Sequence, residues 1–287
     1  SGDGDSGDGD SGDGDGDGDS GDGDGDSGDG DGDSGDGDGD SGDGDGDGNC
    51  LPAETACNGI DEDCNGIIDD LDVDNDGFCD CYKIGIIGNK GANNASNFEA
   101  WLEDKGTTAT RFGTAIDHVL TQADLDQFDI LIIDRLTHHY SAEEAALLQA
   151  WMQAGNGVIS MAGYTNTATD VSQQNSLATA TGLSYSAPIY IDPVEVWQDH
   201  PIAQGAEGVQ VYGGWRVLGN GEVFVRPQGE PNNSLGTATS IGEGAGIVFS
   251  DEWISFDSEW QQIPQVETFW MNMVQWVGPK SFCAFPQ

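Results

Sequence analysis

The chain has 287 residues and a formal net charge of -45 at pH 7, with 53 Asp and Glu against eight Lys and Arg. That balance excludes a phosphate-neutralising surface, so no nucleic acid is expected as partner and anionic membranes would repel the protein. Apolar runs such as Ile130-Leu131-Ile132-Ile133 are strand-sized, which predicts no transmembrane segment.

Residues 1–49 hold 20 Asp, 21 Gly, seven Ser and Asn49, without one apolar or basic side chain. From Ser20 a Ser-Gly-Asp-Gly-Asp-Gly-Asp unit repeats, marked by Ser20, Ser27, Ser34 and Ser41. Such a segment buries no apolar surface to offset the entropy of ordering its glycine-rich backbone, and its carboxylates repel one another. An extended, solvated tether is the expectation. Weak multisite calcium capture and an ion-bridged fibre or assembly stalk are the competing readings.

Residues 50–81 form a second piece, rich in cysteine and carboxylate. Cys50, Cys57, Cys64, Cys79 and Cys81 cluster here, and Cys283 stands near the far end. An even count with this clustering predicts disulfides, with fifteen ways to pair them. Cys283 is expected to join Cys81, because domain termini often lie close together.

Between these half-cystines lie two overlapping loops of oxygen donors. Asp61, Asp63, Asn65, Asp69 and Asp72 occupy positions 1, 3, 5, 9 and 12 of the first, with Gly66 at 6 and the Ile67 carbonyl at 7. This is the ligand rhythm of an EF-hand loop, with Asp72 where a longer Glu is usual and no room for an entering helix. Asp72, Asp74, Asp76, Gly77 and Asp80 repeat positions 1, 3, 5, 6 and 9, but Lys83 falls at 12. Crowded carboxylates with hard oxygen donors predict Ca2+ as the cofactor; the alternative is an acidic, disulfide-held loop that coordinates nothing. The run from Cys57 through Asn58-Gly59-Ile60-Asp61-Glu62-Asp63-Cys64 to Asp70 resembles a metal-binding motif of secreted and surface proteins of myxobacteria. That resemblance implies an extracellular or outer-surface setting and no particular reaction. The start at Ser1 is read as removal of a secretory or lipoprotein leader, so a lipid anchor before processing is expected.

Residues 82–287 are long enough for one substantial core. A strand is predicted over Tyr82–Ile87, a helix over Asn97–Asp104, a strand over Thr107–Phe112, and a short helix over Leu120–Phe128 feeding the strand Ile130–Ile133. Ser141 and Glu144 have capping-box spacing at the start of a helix whose Ala145, Leu148, Trp151 and Met152 share a face. Gly155-Asn156-Gly157 stops it before a buried strand from Val158 to Met161. Further strands are predicted at Val209–Val211, Gly221–Val225 and Gly246–Phe249, then a helix over Pro264–Val277 with Val266, Trp270, Met273 and Val277 inward. Buried strands alternating with amphipathic helices indicate an α/β fold with a mostly parallel sheet covered on both faces.

Lys83-Ile84-Gly85-Ile86-Ile87, Phe128-Asp129-Ile130-Leu131-Ile132-Ile133-Asp134 and Trp151-Met152-Gln153-Ala154-Gly155-Asn156-Gly157-Val158-Ile159-Ser160 resemble the class I glutamine amidotransferase-like superfamily, in particular its trehalose-utilisation-type members. The resemblance implies a three-layer, flavodoxin-like domain. Its chemistry does not carry over. The turn that should hold a nucleophilic cysteine reads Met161-Ala162-Gly163-Tyr164, and no cysteine lies between Cys81 and Cys283. No catalytic residue is therefore assigned.

Open parallel sheets bind ligands beyond their strand ends. That places Asn89, Asp134, Arg135, His138, His139, Tyr140, Tyr164, Asp251 and Glu252 as candidates for a crevice, although adjacent imidazoles in an extended loop point apart. The sequence thus reads as an exported calcium-binding protein whose non-catalytic α/β domain binds a glycan or surface protein or serves attachment. A carbohydrate-active hydrolase and a homo-oligomeric or fibre subunit are the alternatives.

Overall fold

Four strands without a charged residue, except Lys83 at one end, build the centre of the molecule: β1 (Lys83–Ile87), β3 (Ile130–Ile133), β4 (Gly157–Met161) and β10 (Gly244–Phe249). The computed structural model describes residues 50–105, 108–163, 165–189, 195–280 and 282–283. The Asp/Gly/Ser tract and Tyr164, both given roles above, lie outside the described residues. The cysteine-rich segment and the α/β elements belong to one compact unit.

With β2 (Thr108–Phe112), β6 (Glu195–Trp197), β8 (Glu222–Pro227) and β9 (Gly236–Ile241), these strands form one sheet in the order β2-β1-β3-β4-β10-β9-β8-β6. The first five are parallel to their neighbours, and β9, β8 and β6 add on antiparallel. A separate antiparallel pair joins β5 (Leu183–Ile189) to β7 (Gly214–Gly219).

Alternation along each strand sends side chains to two apolar layers. Ile84, Ile86, Ile130, Ile132 and Ile159 pack with Phe98 and Leu102 of α1 (Ser96–Asp104) and Trp270 and Met273 of α6 (Gln265–Val277). Ile87, Leu131, Ile133 and Val158 pack with Leu148, Trp151 and Met152 of α3 (Ala142–Gln153) and Leu177 of α4 (Ala168–Ala178). The result is the expected three-layer α/β arrangement.

The Ser141–Glu144 capping box forms, and Thr167–Asp170 makes another on α4. The helix predicted over Leu120–Phe128 shrinks to α2 (Gln122–Leu125), capped by Thr121. Val209 and Val211 are buried but lie in a loop rather than a strand. Their apolar character reflects burial alone, which periodicity over three residues does not separate from a strand.

The cysteine-rich segment is stitched by Cys50–Cys64, Cys57–Cys81 and Cys79–Cys283. The expected Cys81–Cys283 bond is thus corrected to Cys79–Cys283. Ile68 and Phe282 form a parallel bridge, and the Cys283 N–H donates to the Ile68 carbonyl at 3.1 Å. That backbone contact delivers Cys283 to Cys79, while Cys81 meets Cys57. Phe78, fully buried, seats the segment against Tyr82 and Trp101 of the domain core.

Candidate metal centre and the crevice at the sheet edge

The two acidic loops share one backbone design, offset by eleven residues. In the first, Asp61 accepts N–H groups from Asn65 and Gly66 at 3.1 and 2.9 Å, and Asn65 accepts that of Ile67 at 2.8 Å. In the second, Asp72 accepts those of Asp76 and Gly77 at 3.0 and 2.9 Å, and Asp76 accepts that of Phe78 at 2.8 Å. Gly66 and Gly77 both take left-handed φ, +91° and +78°, where a side chain is disfavoured. Cys64 and Asn75, two residues before each glycine, are left-handed too.

Charge around the two loops differs. In the first, carboxylate oxygens of Glu54, Asp63 and Asp70 lie within 4.8 Å of one another. The Asn65 amide donates to Asp63 at 3.1 Å and Asp70 at 2.9 Å, holding that pair together. Glu54 is only 6 % exposed. One of its oxygens accepts the Glu62 N–H at 2.9 Å; the other, Oε2, is buried like Oε2 of Glu62, and the two carboxyls pair with each other, Glu54 holding the proton and Glu62 accepting it. Burial, with Glu62 alongside, pushes the Glu54 carboxyl up to about 7. Among the described residues, no ion pair reaches Glu54, Asp61, Glu62, Asp63 or Asp70.

Two predicted ligands of the first loop are engaged elsewhere. Asp69 is buried and accepts the N–H groups of Asn58 and Gly59 at 2.9 to 3.0 Å. Asp72, expected to close this loop, spends both oxygens on the second. Glu54 and Asp70 take their place in the cluster. Sequence spacing alone missed Glu54 because it precedes the loop and reaches the cluster through a chain reversal held by Cys50–Cys64 and by Leu51 and Glu54 bonding to the Glu62 backbone.

In the second loop, Asp72, Asp74 and Asp80 bring carboxylate oxygens within 4.8 Å. Here a base is present. Lys105, immediately after α1, places its ammonium 2.9 Å from Asp74 and against Asp76. Burial acts to lower the Lys105 pKa, but the hydrogen bonds to Asp76 and Asp74 outweigh it and raise the pKa above its ordinary value. Asp80 accepts the Val73 N–H at 2.7 Å and has a raised pKa, from burial first.

The crevice candidates lie at the opposite end of β1 from these loops. β1 pairs with β2 on one side and β3 on the other, a switch point where open α/β sheets place ligands. In this protein the chain itself occupies that point. Asn89 and Arg135 exchange N–H···O bonds at 2.8 and 3.2 Å. Arg111 bonds the Gly88 carbonyl at 2.9 Å and lies 3.0 Å from buried Asp134, whose pKa is raised by burial against the pull of Arg111. Arg135 pairs with Asp170 at 2.8 Å.

Asp251 and Glu252 are buried in this network. Asp251 accepts the N–H groups of Tyr212 and Trp253 at 2.7 and 3.0 Å, and Glu252 accepts the Thr165 hydroxyl. Glu252 threads between the loops after β1 and β4, where a Cβ on Gly91 or Gly163 would meet its side chain at 2.7 or 2.8 Å. Both oxygens of Asp251 are committed to backbone, so the two acids do not face each other across a sugar-sized gap.

The histidines also part. His138 bonds the His118 carbonyl and His139 bonds Ser172 of α4, both at 2.9 Å, while Tyr140 bonds His118. Ser160, at the position a nucleophile would approach, is fully buried between Tyr185 and Gln174.

No family model and no curated protein matches the sequence. Among solved structures, a cytoplasmic protein of Salmonella typhimurium LT2 matches at 14 % identity and a TM-score of 0.52, over 68 % of this chain and 99 % of that one. A second cytoplasmic protein of Salmonella typhimurium matches at 14 % identity and 0.47, over 69 % of this chain and 100 % of that one. A ThuA-like protein of Bacteroides uniformis matches at 12 % identity and 0.45, over 68 % and 90 %. The first of these shares the fold; the lower scores carry no argument. The name of the first, a cytoplasmic protein, runs against the extracellular or outer-surface setting expected from sequence, and that expectation, with its lipid anchor, is withdrawn. The three disulfides are compatible with export.

Proposed function

We propose that this protein binds a divalent cation, calcium in the first place, at the Glu54–Asp63–Asp70 cluster, and that its α/β domain is a catalytically silent scaffold of glutamine amidotransferase-like type. The observation that carries the metal reading is the buried Glu54 carboxyl, which is paired with Glu62 in a cluster with Asp63 and Asp70 that no ion pair reaches, so that a shared proton or a cation must meet it. A buried carboxylate in that position costs several kcal/mol of desolvation unless a proton or a cation meets it. Calcium fits the donors. They are all hard oxygens on irregular loops, which suits its six to eight ligands better than the strict octahedron of magnesium. All six cysteines are in disulfides and offer no thiolate to zinc.

Catalytic silence rests on the crevice. Arg111, Asp134, Arg135, Asp251 and Glu252 are engaged with one another or with backbone, and the turn after β4 carries no thiol. The role left to the domain is binding or structural.

Calorimetric titration of the full chain with calcium tests the metal reading, comparing wild type with Glu54→Gln and Asp63→Asn. Both variants are expected to lose the tightest class of binding and keep the weak class. A wild type that shows no saturable binding at millimolar calcium, or a Glu54→Gln variant identical to it, would refute the assignment.

A further inference from the structure

We propose that Lys105 is the resident cation of the second acidic loop, an internal ammonium that closes residues 72–80 to divalent ions and clips the cysteine-rich segment to α1. The two acidic loops have one backbone design. Asp61, Asp63, Asn65 and Gly66 correspond to Asp72, Asp74, Asp76 and Gly77, and in both loops the N–H groups four and five residues on donate to the leading aspartate. A shared backbone with unequal charge is therefore the variable. Around the first loop stand two additional buried or half-buried glutamates and no base; inside the second stands Lys105.

The ammonium lies where an ion shared by positions 3 and 5 would lie. It touches Asp74 and Asp76, and its side chain is only 17 % exposed. Its origin fixes it there. Lys105 caps the C-terminal end of α1, its own N–H bonded to Glu103 and Trp101 carbonyls, where positive charge is favoured. From the other side, Gln275 of α6 donates to the Gly77 carbonyl, and Phe78 is buried beneath. The loop is thus held from three directions without a metal. A divalent ion would have to displace a lysine that is attached to a helix of the core. This inference stands on a different observation from the Glu54 site, and either can fail without the other.

The test is calcium titration of the full chain as wild type, Lys105→Met and Lys105→Arg, each also carrying Glu54→Gln, with thermal melts in chelator. Lys105→Met keeps the apolar stem and removes the charge. It is expected to gain one saturable calcium equivalent over wild type, to keep that gain in the Glu54→Gln background, and to melt lower than wild type in chelator but recover with calcium. Lys105→Arg should bind like wild type. Asp76→Asn in the wild-type chain should leave the calcium stoichiometry unchanged while lowering the melting point. Equal stoichiometry and affinity in wild type and Lys105→Met would overturn the proposal. So would loss of a tight equivalent from wild type on Asp76→Asn substitution. If wild type shows no tight site at all, the Glu54 assignment fails, and a gain in Lys105→Met still supports the closed loop.

Discussion

Phe78 and Trp101 meet with ring centroids 5.9 Å apart, one from the cysteine-rich segment and the other from α1. Phe78 is fully buried and also contacts Tyr82, so the acidic loops sit on the same core as the sheet. Phe78→Ala should therefore cost about 3–5 kcal/mol and lower the midpoint of a single calorimetric transition. Two separate transitions in the wild type, with only the smaller one moved, would show that the segment folds apart from the domain.

Cys79–Cys283 closes a loop of 204 residues in sequence separation, the longest of the three bridges. Constraint of the unfolded chain grows with loop length, so Cys283→Ser should destabilise by roughly 2–5 kcal/mol in denaturant titration. Cys50→Ser, which opens a separation of 14, should cost less globally and act on the first loop, reducing calcium affinity. Equal losses from the two variants would argue against chain entropy as the source.

Stability should fall as pH rises toward 8. Burial pushes Asp251 from an ordinary 3.8 up to about 8 and Glu252 from 4.5 up to about 7. Between the ordinary and raised values the folded protein holds more protons than the unfolded chain, so each group makes stability decline with pH by up to about 1.4 kcal/mol per unit. Their contribution is complete below the ordinary values and is lost as pH passes through about 7 and 8. Glu252→Gln stays neutral and can still accept the Thr165 hydroxyl, so it should flatten the slope and exceed wild-type stability at pH 8. Urea denaturation at several pH values measures this; an unchanged slope would mean Glu252 is ionised in the folded protein throughout.

The sheet was legible where physics is local. Ile130–Ile133 reads as a strand because its short β-branched run is bounded by Asp129 and Asp134 and suits a sheet buried on both faces, and Ser141 with Glu144 specifies a helix start by two reciprocal bonds. The acidic loops were legible in their spacing for the same reason. What escaped is long-range. Glu54 joins Asp63 and Asp70 through a chain reversal held by Cys50–Cys64 and by Leu51 and Glu54 bonding to the Glu62 backbone, and Lys105 reaches Asp74 because α1 ends beside the loop. Cys79 and Cys81 differ by two residues, so the choice of partner for Cys283 is made by the Ile68–Phe282 bridge and not by any feature of the cysteines. The pairing of Arg111 with Asp134 and of Arg135 with Asp170 depends on strand order, which no local pattern in the sequence specifies.

Calcium should raise the folding stability of the wild type and not that of Glu54→Gln. A ligand that binds only the folded state stabilises by RT ln(1 + [L]/Kd), about 2.7 kcal/mol at a hundredfold excess over Kd. Ions that bind the folded and unfolded chain alike add to a titration heat without shifting the melting point. The Glu54–Asp63–Asp70 cluster exists only when Cys50–Cys64 and the surrounding loops are folded, so ions there do shift it. Differential scanning calorimetry with calcium and with chelator separates the two: the wild-type midpoint should rise with calcium and return on chelation, while that of Glu54→Gln stays still. A rise of equal size in both would locate the stabilising ion away from Glu54.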